Sequence, residues 1–266
     1  MNRSLRTAAT GMYAQQLNVD IISNNLANVN TTGFKKSRVE FQDLMYQTLK
    51  PSTVTEQGGG SPMAPMMEIQ VGNGTQTVAT LKNFLQGDIT PTSADGLDVA
   101  IQGDGFFQLK RPDGTLAYTR DGSFKLSADG MIVTSEGYIV DPEIRISANT
   151  EKVIIGKDGS VDAIETGSAE PVKLGQIELA RFVNPAGLRA IGSNMLVETT
   201  ASGQPITGTA GSAGFGMTLQ GHLEASNVDV VEEMVSMITA QRAYEVNSKT
   251  IKTVEDMLTM ANNLKR

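Results

Sequence analysis

Cysteine is absent from the 266 residues, which removes disulfides, thiolate nucleophiles and Cys-ligated zinc together and leaves the chain indifferent to redox compartment. Tryptophan is absent too. Aromatics make up only 5% and apolar residues 39%, so an elongated or multi-lobed molecule is expected in place of one thick core. The longest apolar runs, such as Val99 to Ile101 and Val153 to Ile155, are far too short to span a bilayer. Met1 to Asn30 lacks the apolar core and small-residue cleavage site of a signal peptide. Positive charge is scarce and scattered: 22 Lys+Arg stand against 29 Asp+Glu, and no basic cluster exceeds the pairs Lys35–Lys36 and Lys265–Arg266. Nucleic acid and acidic membranes need a concentrated basic face, so neither is an expected partner.

Histidine occurs once, at His222. One His without Cys cannot supply the usual nitrogen and sulfur ligands of zinc, and a Ser-His-Asp arrangement would have to pass every proton through that position. The Asp-Gly pairs lack the ligand spacing of calcium loops, and neither Gly103-Asp104-Gly105 nor Gly72-Asn73-Gly74 continues into a phosphate-binding fingerprint. No catalytic residue, metal or cofactor is expected.

What is present is a pair of helical patterns at the two ends. Leu5, Ala8, Met12, Val19, Ile22, Leu26 and Val29 recur at alternating intervals of three and four, broken only by Gln15, as the seam of a helix ending near Asn28 to Asn30. At the other end Ser226 and Asp229 resemble a capping box, and Glu232 and Glu233 suit the positive end of a helix dipole. Val231, Met234, Val235, Ile238, Tyr244, Ile251, Val254, Leu258 and Ala261 then keep one broad face apolar, uninterrupted by Pro or Gly.

Most glycines and all nine prolines lie between the helices, where the period shifts to short β-type runs. Asp95–Gly96, Asp104–Gly105, Asp113–Gly114, Asp121–Gly122 and Asp129–Gly130 recur at a spacing that predicts consecutive hairpins. Further strands are expected at Lys152 to Gly156, Gln176 to Val183 and Met195 to Glu198. Met45 to Gln76, with three prolines, Gly58-Gly59-Gly60 and scattered Met, reads as an extended connector.

The expected fold is α+β: a 1–35 helix, a 36–80 connector, an 81–221 β-rich domain and a 222–266 helix. Two terminal helices alone bury little, and half-covered apolar stripes leave burial unrealised, so helices of other subunits would supply the cover as an inter-subunit coiled coil. The bland alternative is that both are ordinary core helices. Charge differs between the ends, with Met1 to Lys36 net positive and His222 to Arg266 net negative, which can guide pairing while apolar burial drives it.

Two motifs carry a resemblance. Ala8-Ala9-Thr10-Gly11-Met12 and the run from Asn24 and Asn25 through Asn28 and Asn30 to Gly33-Phe34-Lys35 resemble the N-terminal signature of flagellar rod and hook proteins. Ser226-Asn227-Val228-Asp229, Met237-Ile238, Gln241-Arg242-Ala243-Tyr244-Glu245 and Asn247 resemble the signature at the other end of that family, and Gly103-Asp104-Gly105-Phe106-Phe107 and Tyr118-Thr119-Arg120-Asp121-Gly122-Ser123-Phe124 its β-domain. Phe41 to Gln47 and the connector lean toward the distal rod, ahead of the proximal rod or the hook. The resemblance implies a helical homopolymer that transmits torque, exported through the flagellar type III apparatus without a cleaved leader. It also implies proximal-rod, hook-side and ring proteins as partners and a place in the basal body from periplasm to outer membrane. A rival of another class is a secreted β-rich glycan-binding or carbohydrate-active protein, which would need an aromatic-lined cleft; the lack of Trp disfavours it.

Overall fold

A proline-free stretch opens the chain and forms α1 (Asn2–Ala27). In the computed structural model, which describes residues 2–50, 69–92, 97–167 and 170–264, this helix closes just short of the expected end. The chain leaves it through two tight turns, with Asn28 N–H donating to Asn25 O at 3.1 Å and Thr31 N–H to Asn28 O at 3.1 Å. Then come β1 (Ser37–Asp43), β2 (Gln47–Lys50), β3 (Ile69–Val71) and β4 (Thr75–Lys82); β1 pairs with β4 and β2 with β3. The ends of the expected connector are therefore strands, while Pro51, the Gly58–Gly60 run and Met63, Met66 and Met67 lie outside the described residues.

Sixteen short strands follow in chain order. They are β5 (Ile89–Pro91), β6 (Val99–Gln102), β7 (Phe106–Lys110), β8 (Leu116–Thr119), β9 (Lys125–Leu126), β10 (Ile132–Val133), β11 (Ile139–Asp141), β12 (Thr150–Ile155), β13 (Ser160–Glu165) and β14 (Val172–Gln176). The series ends with β15 (Glu178–Arg181), β16 (Arg189–Gly192), β17 (Met195–Val197), β18 (Ile206–Thr209), β19 (Met217–Gln220) and β20 (His222–Glu224). The last element is α2 (Val230–Leu264). It starts later than a box at Ser226 would place it: the Ser226 hydroxyl accepts the Val228 N–H at 3.4 Å, and Asp229 stands immediately before the first helical residue.

The chain divides into two compact units, Met1–Asn24 with Arg38–Thr80 and Val231–Arg266, and Asn25–Ser37 with Leu81–Val230. In the second, β16-β17-β8-β7-β11-β10-β9 run side by side, with β15 and β18 attached through β7, and β12-β13-β14 make a separate three-stranded sheet. Val99, Ile101, Phe107, Leu109, Ile132, Val161, Ile177 and Leu179 form its main core, each almost fully removed from water. Beside it Phe106, Tyr118 and Phe182 stack edge to face, with Tyr118 and Phe182 centroids 4.8 Å apart.

The Asp-Gly pairs divide into two kinds. Asp113–Gly114 joins β7 to β8 and Asp129–Gly130 joins β9 to β10, both antiparallel hairpins as expected. Asp104–Gly105 does not close a hairpin, because β6 leaves its neighbour in sequence to pair with the distant β19, and neither does Asp121–Gly122, because β8 pairs with β7 and β17 and β9 with β10. Asp121 instead closes a local turn by accepting the Ser123 N–H at 3.0 Å and its hydroxyl at 2.8 Å. Asp95–Gly96 lies outside the described residues. The strands expected from Lys152, Gln176 and Met195 onward are present as β12, β15 and β17, with slightly different ends.

Candidate assembly site

The first unit brings the two terminal helices together at a glycine. A Cβ built on Gly11 of α1 would stand 2.9 Å from Asn247 Nδ2 of α2, so the absence of a side chain lets Asn247 approach. The loop Gly72-Asn73-Gly74 also lies on α1, where Gly74 abuts Thr10 and the Thr75 N–H reaches the Thr10 hydroxyl at 3.4 Å. Arg3 at the start of α1 donates to the Gln47 side chain on β2.

The residues of the expected seams fall on different sides of these helices. On α1, Ala8 and Ile22 are buried and Leu5, Met12, Val19 and Leu26 half-buried, while Val29 is half-buried in the turn beyond the helix; Ala14, which the seam omits, is more deeply buried than any residue of the seam. On α2, Ala240 and Val254 are buried, and Asn247, Ile251 and Leu258 half-buried, along one face. Val231, Val235, Ile238 and Val246 lie about 150° round the helix from it and are 71%, 60%, 51% and 64% exposed. Met234 and Tyr244 are exposed as well, and Met257, Met260 and Leu264 continue the outer stripe to the end of the helix. The broad apolar face of the sequence is thus two faces, one covered within the unit and one bare.

The second unit holds the N-terminal motif from Asn25 onward. Asn25 is buried and brackets the backbone of one residue, its Nδ2 donating to Ser37 O and its Oδ1 accepting the Ser37 N–H, both at 2.9 Å. Asn28 accepts the Thr31 hydroxyl at 3.1 Å, whereas Asn24 and Asn30 are exposed on the surface. Gly33, at φ +67°, passes so close to the backbone of Arg120 and Asp121 that no side chain fits there. Phe34 is buried beneath Lys82, whose ammonium lies 5.1 Å from the ring centroid.

Lys35 is 3% exposed and donates to the Glu224 carboxylate at 2.5 Å and to Leu85 O at 2.7 Å. The other Glu224 oxygen accepts from Arg120 at 3.3 Å, and the Gly87 N–H reaches the carboxylate at 3.0 Å. Arg120 also donates to Gly103 O at 2.8 Å and lies over the Phe106 ring. Burial pushes the Lys35 ammonium below its ordinary pKa against the opposing pull of Glu224, and it acts on Arg120 in the same direction. Sequence reasoning placed Lys35 and Arg120 in motifs but did not connect them, and it missed Glu224. Charged residues amid the small and apolar runs around 33–35 and 219–228 were the available signal. His222 sits on β20 with Nδ1 2.9 Å from Gln220 O, a local backbone contact. Among the described residues no group of His, Cys, Asp and Glu could hold a metal ion, and no helix is long and apolar enough to cross a membrane.

Residues 5–35 match the family described as flagella basal body rod protein, residues 100–163 the flagellar hook protein FlgE/F/G D1 domain, and residues 219–264 the C-terminal part of flagellar basal body rod FlgEFG proteins. The flagellar basal-body rod protein FlgG of Borreliella burgdorferi is 53% identical over 269 residues, covering both chains completely. That of Caulobacter vibrioides is 48% identical over 99% of each chain, and that of Bacillus subtilis 38% over the whole of both. The chain belongs to the FlgG family of flagellar basal-body rod proteins. It is a structural subunit of the distal rod and not an enzyme. The FlgG-type segments at 5–35 and 219–264 contain the two ends of the buried ion cluster, Lys35 and Glu224, and the two sides of the helix contact, Gly11 and Asn247.

Proposed function

We propose that this subunit polymerises into a rigid helical tube through the outer stripe of α2, which takes up helices of neighbouring copies in an inter-subunit coiled coil and carries torque from motor to hook. The observation that supports this reading is the bare row Val231, Val235, Ile238 and Val246, set against a second face of the same helix that is already covered. Burying one such side chain is worth about 1.5–3 kcal/mol, so a few of them repeated along a polymer outweigh the ordering of the helices. The charge difference between the ends guides the pairing, though Lys35 and Glu224 satisfy each other within one chain and do not contribute to it. On this reading 1–35 and 222–266 are the polymerising segments, 36–80 stiffens the shaft and 81–221 is the β-rich body. Proximal-rod and hook-side proteins meet the ends of the tube, ring proteins surround it in the basal body between periplasm and outer membrane, and the flagellar type III apparatus delivers the subunit.

The test is Val235→Glu with Ile238→Glu, compared with Val183→Glu, which alters an 83%-exposed valine of the second unit. The helix variant should remain monomeric in sedimentation at concentrations where the parent and the Val183 variant polymerise, with the thermal transition of its β-rich unit unchanged. Polymerisation of the helix variant at the parent's concentration would refute the proposal.

A further inference from the structure

The second unit contains one segment whose every pairing is remote. β19 pairs with β6 and β20 with β5, each as an isolated two-stranded ladder outside the large sheet. The Thr90–Leu223 contact spans 133 positions. Glu224 meets Arg120 across 104 positions and Lys35 across 189, and Asn227 accepts the Lys36 N–H across 191. Asn227 also donates to Asn83 O at 2.9 Å and Leu85 O at 3.1 Å, and the Gly33 N–H donates to Glu224 O at 2.8 Å. The loop after α1, the 83–91 stretch and β6 therefore all draw partners from residues 217–228.

The large sheet is built mostly of local pairings, with β15 and β17 joining β7 and β8 from farther along the chain. β7-β8, β9-β10 and β10-β11 are local hairpins, as are β12-β13 and β13-β14 in the three-stranded sheet. Local pairings close short loops and form early, whereas remote ones wait for the chain ends to be brought together. The ion cluster sharpens this difference. Side chains of Glu224, Lys35 and Arg120 are 0%, 3% and 4% exposed, and none can enter such a site alone without an uncompensated buried charge. They must arrive together.

We propose that residues 217–228 are the closing segment of this unit, that they dock after the hairpin sheet has formed, and that the Glu224 carboxylate is the latch that fastens the loop 31–37 to it. A chain threaded N-terminus first then lacks the Glu224 partner of Gly33 and Lys35 and the Asn227 partner of Lys36 until residue 227 has emerged, so a partly delivered subunit stays unlatched in this region. The inference rests on contacts within the second unit alone and does not depend on how copies associate.

Pulsed hydrogen exchange during refolding of the full chain, read by mass spectrometry, tests the order. Amides of 106–119 should become protected before those of 217–224 and 31–37. Simultaneous protection of all three, or earlier protection of 217–224, overturns the proposal. Glu224→Gln provides the kinetic arm: unfolding should accelerate by about tenfold or more with refolding changed by less than about twofold, the signature of a contact absent from the folding transition state. Refolding slowed as much as unfolding is quickened would place the latch in the nucleus and refute it. If Glu224→Gln does not fold, Asn227→Ser takes its place with the same two outcomes.

Discussion

Gly33 and Arg120 approach so closely that the missing side chain of the first is a condition of the fold. A Cβ on Gly33 would stand 2.7 Å from Asp121 N and 2.8 Å from the Arg120 carbonyl carbon, and φ there is +67°. Both obstacles are backbone, which cannot rotate aside. Gly33→Ala should destabilise the second unit by more than the ~1–3 kcal/mol that left-handed backbone costs an ordinary residue. Gly33→Asn separates strain from contact, because Asn tolerates this φ but still carries a Cβ. Denaturant melts should find it nearly as damaging as Ala; full recovery with Asn would remove the steric claim.

Removing one member of the buried cluster should be costly. Lys35→Met keeps most of the apolar stem but leaves the Glu224 carboxylate with Arg120 and the Gly87 N–H alone. Breaking a buried pair in this way costs about 3–5 kcal/mol. The loss should persist in high salt, since buried charges are poorly screened. A deficit that vanished in 1 M salt would identify the pair as solvent-exposed.

Tyr118 provides a pH test. Burial, reinforced by Glu198 and Asp141, raises its phenol from 10.0 to about 12. Its folded value exceeds its unfolded one, so the associated stability is complete below pH 10 and is lost as pH rises toward 12. Ultraviolet titration of the five tyrosines should leave a late-ionising component that Tyr118→Phe removes. An unchanged late component in that variant would contradict the assignment.

At the helix contact, Gly11→Ala and Gly11→Leu should part company. The obstacle to a Cβ is the end of the Asn247 side chain, which can swing away, and alanine gains about 1 kcal/mol of helix propensity over glycine. Gly11→Ala should therefore change the melting of the first unit little, while Gly11→Leu drives α1 off Asn247 and lowers it clearly. Equal behaviour of the two variants would show that the helices do not meet there.

The chemistry of turns was readable wherever the pairing was local. Asp113–Gly114 and Asp129–Gly130 mark hairpins, yet Asp104–Gly105, of the same composition, does not, because the choice of β19 by β6 is written in residues more than a hundred positions away. The same limit explains Glu224, which nothing near it in sequence connects to Lys35 or Arg120. The apolar pattern of α2 was legible as a stripe. Its division into a covered side at Ala240 and Val254 and a bare side at Val235 and Ile238 required the partner helix to be in place. Asn25 shows a third limit: a polar residue at the end of a helix reads as exposed until the residue whose backbone it brackets is known.

The turn at Gly137, where φ is +89° and nothing stands within 4 Å of a would-be side chain, joins two strands of the large sheet, with Tyr138 beside it packing against the core and Gly137 itself free of it. Foreign sequence spliced there need not disturb the strands on either side, so an epitope or a fluorophore could be displayed on the subunit while both ends of the chain are left as nature made them.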